Sequence, residues 1–171
     1  MNPSLDKDQL LSESWNLQLA LQKIQKDLRS LLTQEQQRTA LLSVRLFSLG
    51  ETYSNETFTT SVTIDPDTNI DTLGNDIQNE LFYVCKEAVS NALKHSNGNK
   101  VELSVGVKPS TGEIQLTVQD NGDGMDDVTL RSSGTQNMEK RMKRIGGTFS
   151  LMNTDGGGLR ARASVSDPDQ E

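Results

Sequence analysis

Two runs of alternating residues constrain this chain more than any other feature. Val101, Leu103, Val105 and Val107 are separated by polar or small residues, and Ile114, Leu116 and Val118 alternate with Gln115, Thr117 and Gln119. A period of two is that of a β-strand with one face buried. Pro109-Ser110-Thr111-Gly112 lies between the runs and reads as a turn, so 101–107 and 113–119 are expected to pair as an antiparallel hairpin. Asp120 comes next, in phase with the apolar set, so parity aims its carboxylate towards the core side.

A carboxylate placed there needs a donor. The exocyclic amine of a purine is one candidate; a structural hydroxyl or a backbone amide is another. Gly122 and Gly124 follow, and each lets the backbone turn and approach something closely. Asp-x-Gly-x-Gly taken alone also fits an ordinary turn.

The segment before the hairpin reads as a helix beginning near Asn75, with Gln78 at a capping-box position. Ile77, Leu81, Val84, Cys85, Ala88 and Ala92 fall on one stripe at helical spacing. Glu87, Asn91, Lys94 and His95 fall on another, since successive residues advance by about 100°. An amide oxygen suits Mg²⁺, which keeps several waters and bridges phosphate oxygens. A carboxylate one turn away can hold the proton of an attacking group, and a Lys and a His one turn further on can meet phosphate. The plainer reading is a solvated helix face with a satisfied histidine. Cys85, on the apolar stripe, reads as a buried structural thiol.

Before that helix, 57–64 alternates through Phe58, Thr60, Val62 and Ile64 and reads as a strand, ended by a turn at Asp65-Pro66-Asp67. Residues 5–32 read as a helix whose Leu17, Leu21, Ile24, Leu28 and Leu31 form either an a/d seam, as in a coiled coil or a helical bundle, or the apolar face of a helix lying on its own domain. Thr33 to Gln36 fits a capping box, which opens a second helix over 34–49 with Leu42, Leu46 and Leu49 inward and Gly50 as its stop; a single long helix through Thr33 is the alternative. After the hairpin, 125–133 reads as a surface loop and 137–145 as a short helix with an apolar edge of Met138, Met142 and Ile145. Strands at 148–152 and 159–165 flank Gly156-Gly157-Gly158. The sum is an α/β two-layer sandwich, a mixed sheet with helices on one face, preceded by an N-terminal helical arm. The expected division is 1–50, helical, and 51–171, the sandwich.

Net charge is −7, which argues against a general nucleic-acid or anionic-membrane binder. One cysteine excludes an intrachain disulfide and suits a reducing cytoplasm. No stretch approaches the ~20 consecutive apolar residues of a membrane span. The expected location is therefore cytoplasmic, compatible with a membrane-anchored parent.

Glu87-Ala88-x-x-Asn91-Ala92-x-Lys94-His95, Asp120-Asn121-Gly122-Asp123-Gly124-Met125 and Gly134-x-x-Asn137-Met138-x-x-Arg141-x-x-x-x-Gly146-Gly147 occur in that order. Together they resemble the N, G1 and G2 boxes of the GHKL ATPase superfamily, which has the Bergerat fold. The nearest resemblance is to the catalytic, ATP-binding domain of sensor histidine kinases of the NarX/DesK type, over roughly residues 75 to 166.

The resemblance implies ATP and Mg²⁺ as ligands, with Asn91 on the metal and Asp120 accepting from the adenine amine. Gly122, Gly124 and Met125 would pass close to the nucleotide, and Lys94 and His95 would sit near phosphate or ribose. Gly134, Thr135, Asn137 and Met138 would cradle the phosphates with Arg141 nearby, while Glu87 would serve as general base or as a water-orienting group. Residues 125–133 would be the family's ATP lid. The implied activity is transfer of the γ-phosphate to a histidine for relay to a response regulator.

This sequence departs from the family in two ways. The family's acceptor histidine lies on the first helix of a dimerisation hairpin, whereas the one histidine here is His95, inside the N box. The acceptor must lie outside these residues: either 5–32 is the second helix of that hairpin, able to support a homodimer, or the target is elsewhere. The family also carries Gly-Thr before the last strand, where Gly158 is here followed by Leu159. An anti-sigma-factor-type serine kinase of the same superfamily and a non-catalytic nucleotide-sensing or dimerisation module are the alternatives.

Overall fold

A computed structural model describes residues 40–126 and 133–166. Along the chain these form α1 (Leu42–Thr52), β1 (Thr59–Ile64), α2 (Asn75–His95), β2 (Lys100–Val107), β3 (Ile114–Asp120), α3 (Ser133–Arg144), β4 (Thr148–Asn153) and β5 (Leu159–Val165). The five strands make one sheet in the order β1-β2-β3-β5-β4. β1 runs parallel to β2, with α2 as the crossover such a pair requires. The other neighbours are antiparallel. The sandwich read from the alternation is the architecture observed, with helices on one face of a mixed sheet.

The core lies between that face and the helices. Val101, Leu103 and Val105 of β2, Ile114, Leu116 and Val118 of β3, and Ala161, Ala163 and Val165 of β5 point into it. Leu81, Val84, Cys85, Ala88 and Ala92 of α2 meet them from above, on the stripe the helical spacing marks out. Fully burying one Leu or Val is worth ~1.5–3 kcal/mol. A surface pair such as Lys143–Glu139 is worth ~0.3–0.5 kcal/mol. The apolar pattern therefore decides the fold, and the ion pairs only adjust it. Burial pushes the Cys85 thiol up to about 12, as expected of a structural thiol in an apolar setting.

Three local expectations are corrected. Residues 34–39 of the helix predicted over 34–49 lie outside the described residues; the chain is extended at Leu41 (ψ 145°) and helical from Leu42. Its free N-terminal amides are met from the loop before α2 and from the first turn of α2. Asp71 accepts from the Ser43 backbone N–H at 2.8 Å and from its hydroxyl at 2.5 Å, and Gln78 Oε1 accepts from the Leu42 N–H at 3.1 Å. That cap satisfies donors which a helix start leaves without an internal partner. Gly50 does not stop α1, which continues to Thr52. A Cβ on Gly50 would lie 2.7 Å from Val62 Cγ2, so the glycine lets α1 sit close on β1. The residues from Leu41 onward, α1 included, form one compact unit with the sheet.

Gln78 is the second correction. α2 begins after Gly74 without a side-chain cap. The Gln78 amide instead donates to the Leu73 and Asp71 carbonyls at 2.6 and 3.1 Å while capping α1. Third, α3 begins at Ser133 rather than 137, so Gly134 and Thr135 belong to its first turn. A glycine is cheap there, because the first amides of a helix have no internal acceptor to lose. The seam at 17–31, the capping box at 33–36 and residues 127–132 of the expected lid lie outside the described residues. Among the described residues, no helix is long and apolar enough to cross a membrane.

Candidate functional site

The chemistry-bearing stripe of α2 and the end of β3 open onto one cavity of about 560 Å³. Glu87, Asn91 and His95 line it from α2, at positions four apart and so on one face. Asp120, Gly124, Met125 and Asp126 line it from the end of β3 and the chain after it, and Gly134, Thr135 and Met138 from α3. Ala88, Ala92, Val118, Leu151, Leu159 and Ala161 supply apolar wall. Apolar walls with a few convergent polar groups are typical of a small-molecule site.

Asp120 is the buried acid among them. Its Oδ1 accepts from the Gly122 N–H at 2.9 Å and from the Leu159 N–H at 3.3 Å. Backbone amides thus meet part of its need for donors. Its Oδ2 accepts from no described residue and is the atom left for a ligand.

The carboxylate is aimed by a weld between the end of α2 and the turn after β3. The Asp123 N–H donates to the Ser96 carbonyl at 2.9 Å, and the Asn97 amide donates to Asp123 Oδ2 at 3.0 Å. Asn121 Oδ1 accepts from the N–H groups of Asn99 and Lys100 at 3.0 and 2.9 Å. A Cβ on Gly122 would collide with the Ser96 carbonyl, so glycine is what lets the two segments touch. Gly124 has φ +79° and no room either, since its Cβ would lie 2.6 Å from Asn153 Oδ1. The Asn153 amide holds the next residue at two points: Oδ1 accepts from the Met125 N–H at 2.8 Å, and Nδ2 donates to the Met125 carbonyl at 2.7 Å.

Four of the residues singled out in the sequence stand off the cavity wall. Gly122 acts through the weld. Lys94 and Asn137 are exposed. Arg141 turns to α2, where its Nη1 lies 2.8 Å from Glu80 Oε2 and its guanidinium lies over the Tyr83 ring at 5.0 Å.

Residues 76–168, more than half of the chain, match the family of histidine kinase-, DNA gyrase B-, and HSP90-like ATPases (HATPase_c). The chain belongs to this family. It is a GHKL ATP-binding domain homologous to those of sensor histidine kinases. It is 35% identical over 91 residues to the sensor histidine kinase LiaS of Bacillus subtilis, a stretch covering 52% of this chain and 25% of LiaS. It is 38% identical over 86 residues to the sensor protein VraS of Staphylococcus aureus, covering 49% of this chain and 24% of VraS. The matched stretch spans about a quarter of the length of these relatives.

Among solved structures, the HATPase_c domain resembles the ATP binding domain of PrrB from Mycobacterium tuberculosis (TM-score 0.61, 23% identity, 76% of this chain and 96% of that one). The histidine kinase AdeS of Acinetobacter baumannii has the same fold (TM-score 0.59, 16% identity, 97% of this chain and 87% of that one).

Several residues of the HATPase_c site escaped the sequence reading. Val118 and Ala161 share the inward phase of Asp120, so strand parity could have found them. Ser96 and Asn153 had no such signal, because each acts through a backbone contact with a segment distant in sequence.

Proposed function

We propose that this domain binds Mg-ATP in the cavity and passes the γ-phosphoryl group to a histidine outside these 171 residues, for relay to a response regulator. The observation that carries the reading is that Asn91 and Asp120, a helix-borne amide and a strand-end carboxylate, line one cavity. The relatives named as sensor kinases support the histidine as acceptor.

In this reading Asp120 Oδ2 accepts from the adenine amine, and the walls of Val118, Leu159 and Ala161 flank the base. Asn91 and the first turn of α3, with Gly134 and Thr135, meet the phosphates. The amides of that turn and the positive end of the helix favour anions. The donor set fits a hard cation: the half-buried Asn91 offers an amide oxygen beside the Glu87 carboxylate. Mg²⁺ held there supplies neutralisation of phosphate charge. In this reading Glu87, on the cavity wall, takes the proton of the attacking imidazole. Transfer of this kind needs positioning and charge neutralisation more than covalent help. Lys94, Asn137 and Arg141 are left without a direct ligand role.

Titration calorimetry with a non-hydrolysable ATP analogue, with and without Mg²⁺, tests the binding. Affinity that rises with Mg²⁺ is expected, and absence of any adenine-nucleotide binding sinks the reading. Transfer is tested by supplying a histidine-bearing helical hairpin of a related kinase with ATP. Label that is lost in acid is the expected result, and acid-stable label points to the serine-kinase alternative instead.

A further inference from the structure

We propose that Arg141 is a positioning residue that sets the axial placement of α3, and with it the phosphate end of the cavity, through a latch to Glu80 and Tyr83. The inference rests on the ATP reading above.

Glu80, Glu87 and Asn91 lie seven and four residues apart on α2, which places them on one stripe. Glu87 and Asn91 line the cavity with Gly134, Thr135 and Met138 of α3, while Arg141, further along α3, reaches back to Glu80. The two helices therefore run in opposite directions along this stripe, joined at one end by the cavity and at the other by the ion pair.

The apolar edge of α3 is built mainly of methionine. Its buried side chains are Met138 and Met142, with Ile145 partly buried just beyond its end. Methionine is unbranched and adapts to irregular gaps, so a Met edge tolerates sliding. A guanidinium is different: it is planar, presents donors in a fixed fork and stacks on a ring face. Arg141 uses one arm of that fork, Nη1 to Glu80 Oε2 at 2.8 Å, and sets its guanidinium over the Tyr83 ring at 5.0 Å. The Glu80 side chain is only 19% exposed, and Arg144 stands 3.7 Å from its other oxygen, so the carboxylate holds α3 at two positions one turn apart.

A slip of α3 by one residue moves Gly134 and Thr135 by about 1.5 Å along the axis. A misplacement of about 1 Å at a reacting group is enough to cost on the order of a hundredfold in rate. The latch thus acts on the phosphates and leaves the base contact at Asp120, which sits on β3, untouched.

The test measures affinity of the 171-residue chain for the Mg-bound ATP analogue and, separately, for adenosine. Arg141→Gln and Glu80→Gln are each expected to lower affinity for the analogue about tenfold while adenosine affinity stays within about twofold. The double change Glu80→Arg with Arg141→Glu re-forms the ion pair but not the Tyr83 contact or the Arg144 contact, and is expected to restore part of the loss. A direct contact of Arg141 with phosphate predicts the reverse, because a glutamate at 141 would repel the ligand.

Arg141→Lys, which keeps the charge and loses the fork and the stacking, is expected to fall between wild type and Arg141→Gln, and it serves if the glutamine variant does not fold. Unchanged affinity in Arg141→Gln or Arg141→Lys, or a failed swap beside an unaffected Glu80→Gln, overturns the latch. A wild-type chain that binds no analogue overturns the ATP reading itself.

Discussion

The backbone N–H of Asp123 donates to the carbonyl of Ser96 at 2.9 Å, joining the turn after β3 to the end of α2. Through that bond the helix that carries Asn91 and the strand that ends on Asp120 become one rigid corner. The glycine before Asp123 makes the approach possible.

Gly122→Ala is accordingly expected to pry the corner open. The new methyl meets the Ser96 carbonyl, and the strain should lower stability by about 2–3 kcal/mol, read by denaturant unfolding. Nucleotide binding should fall with it. An alanine variant as stable as wild type would mean the two segments can part without cost.

Asp120→Asn separates folding from recognition. The asparagine oxygen can still accept from the Gly122 and Leu159 amides, so the midpoint of unfolding should barely move. Its NH₂ group then stands where Oδ2 stood, and faces a donor instead of accepting from it. Affinity for the ATP analogue should drop by about ten- to a hundredfold, which is ~1.4–3 kcal/mol. Calorimetry on both proteins decides.

Asn153 carries a prediction that concerns Met125. Asn153→Ala removes an acceptor and a donor together, at a cost of about 1 kcal/mol per hydrogen bond. Asn153→Asp keeps the acceptor for the Met125 N–H and loses the donor to its carbonyl. Amide hydrogen exchange at Met125 should speed up most in the alanine variant and less in the aspartate one. Equal protection in all three proteins would show that Gly124 and Met125 hold their path unaided.

Cys85 makes stability depend on alkaline pH. Its thiol is raised from 9.0 to about 12 by burial, so between those values the unfolded chain releases a proton that the folded chain keeps. This contribution is complete below pH 9 and is lost as pH rises towards 12. Unfolding free energy should therefore decline above pH 9 in wild type relative to Cys85→Ala, and the native thiol should resist alkylation until the chain unfolds. Parallel pH profiles for the two proteins would contradict the assignment.

Much of the site could be read before any coordinates. The phase of Asp120 along β3 and the four-residue steps from Glu87 to His95 are enough to put each set of side chains on one stripe, and both stripes meet the same cavity. The family resemblance puts Arg141 near the phosphates, and the fold turns it to α2 instead. Its partners, Glu80 and Tyr83, lie about sixty residues away, and nothing local signals them. Gln78 is a similar case: a capping-box spacing predicted one helix start, and the side chain turned out to serve another, 36 residues earlier.

The amino-acid order alone determines the strands, the two faces of α2 and the inward carboxylate at Asp120, since periods of 2 and 3.6 are properties of a local stretch. Tertiary structure decides where α1 begins, why residues 50, 122 and 124 must be glycine, and whether Arg141 meets a ligand or a helix. Those outcomes depend on close approaches and polar pairings between distant segments. A hydrogen bond or ion pair is satisfied by any suitable partner, so only the packed chain selects which one it receives.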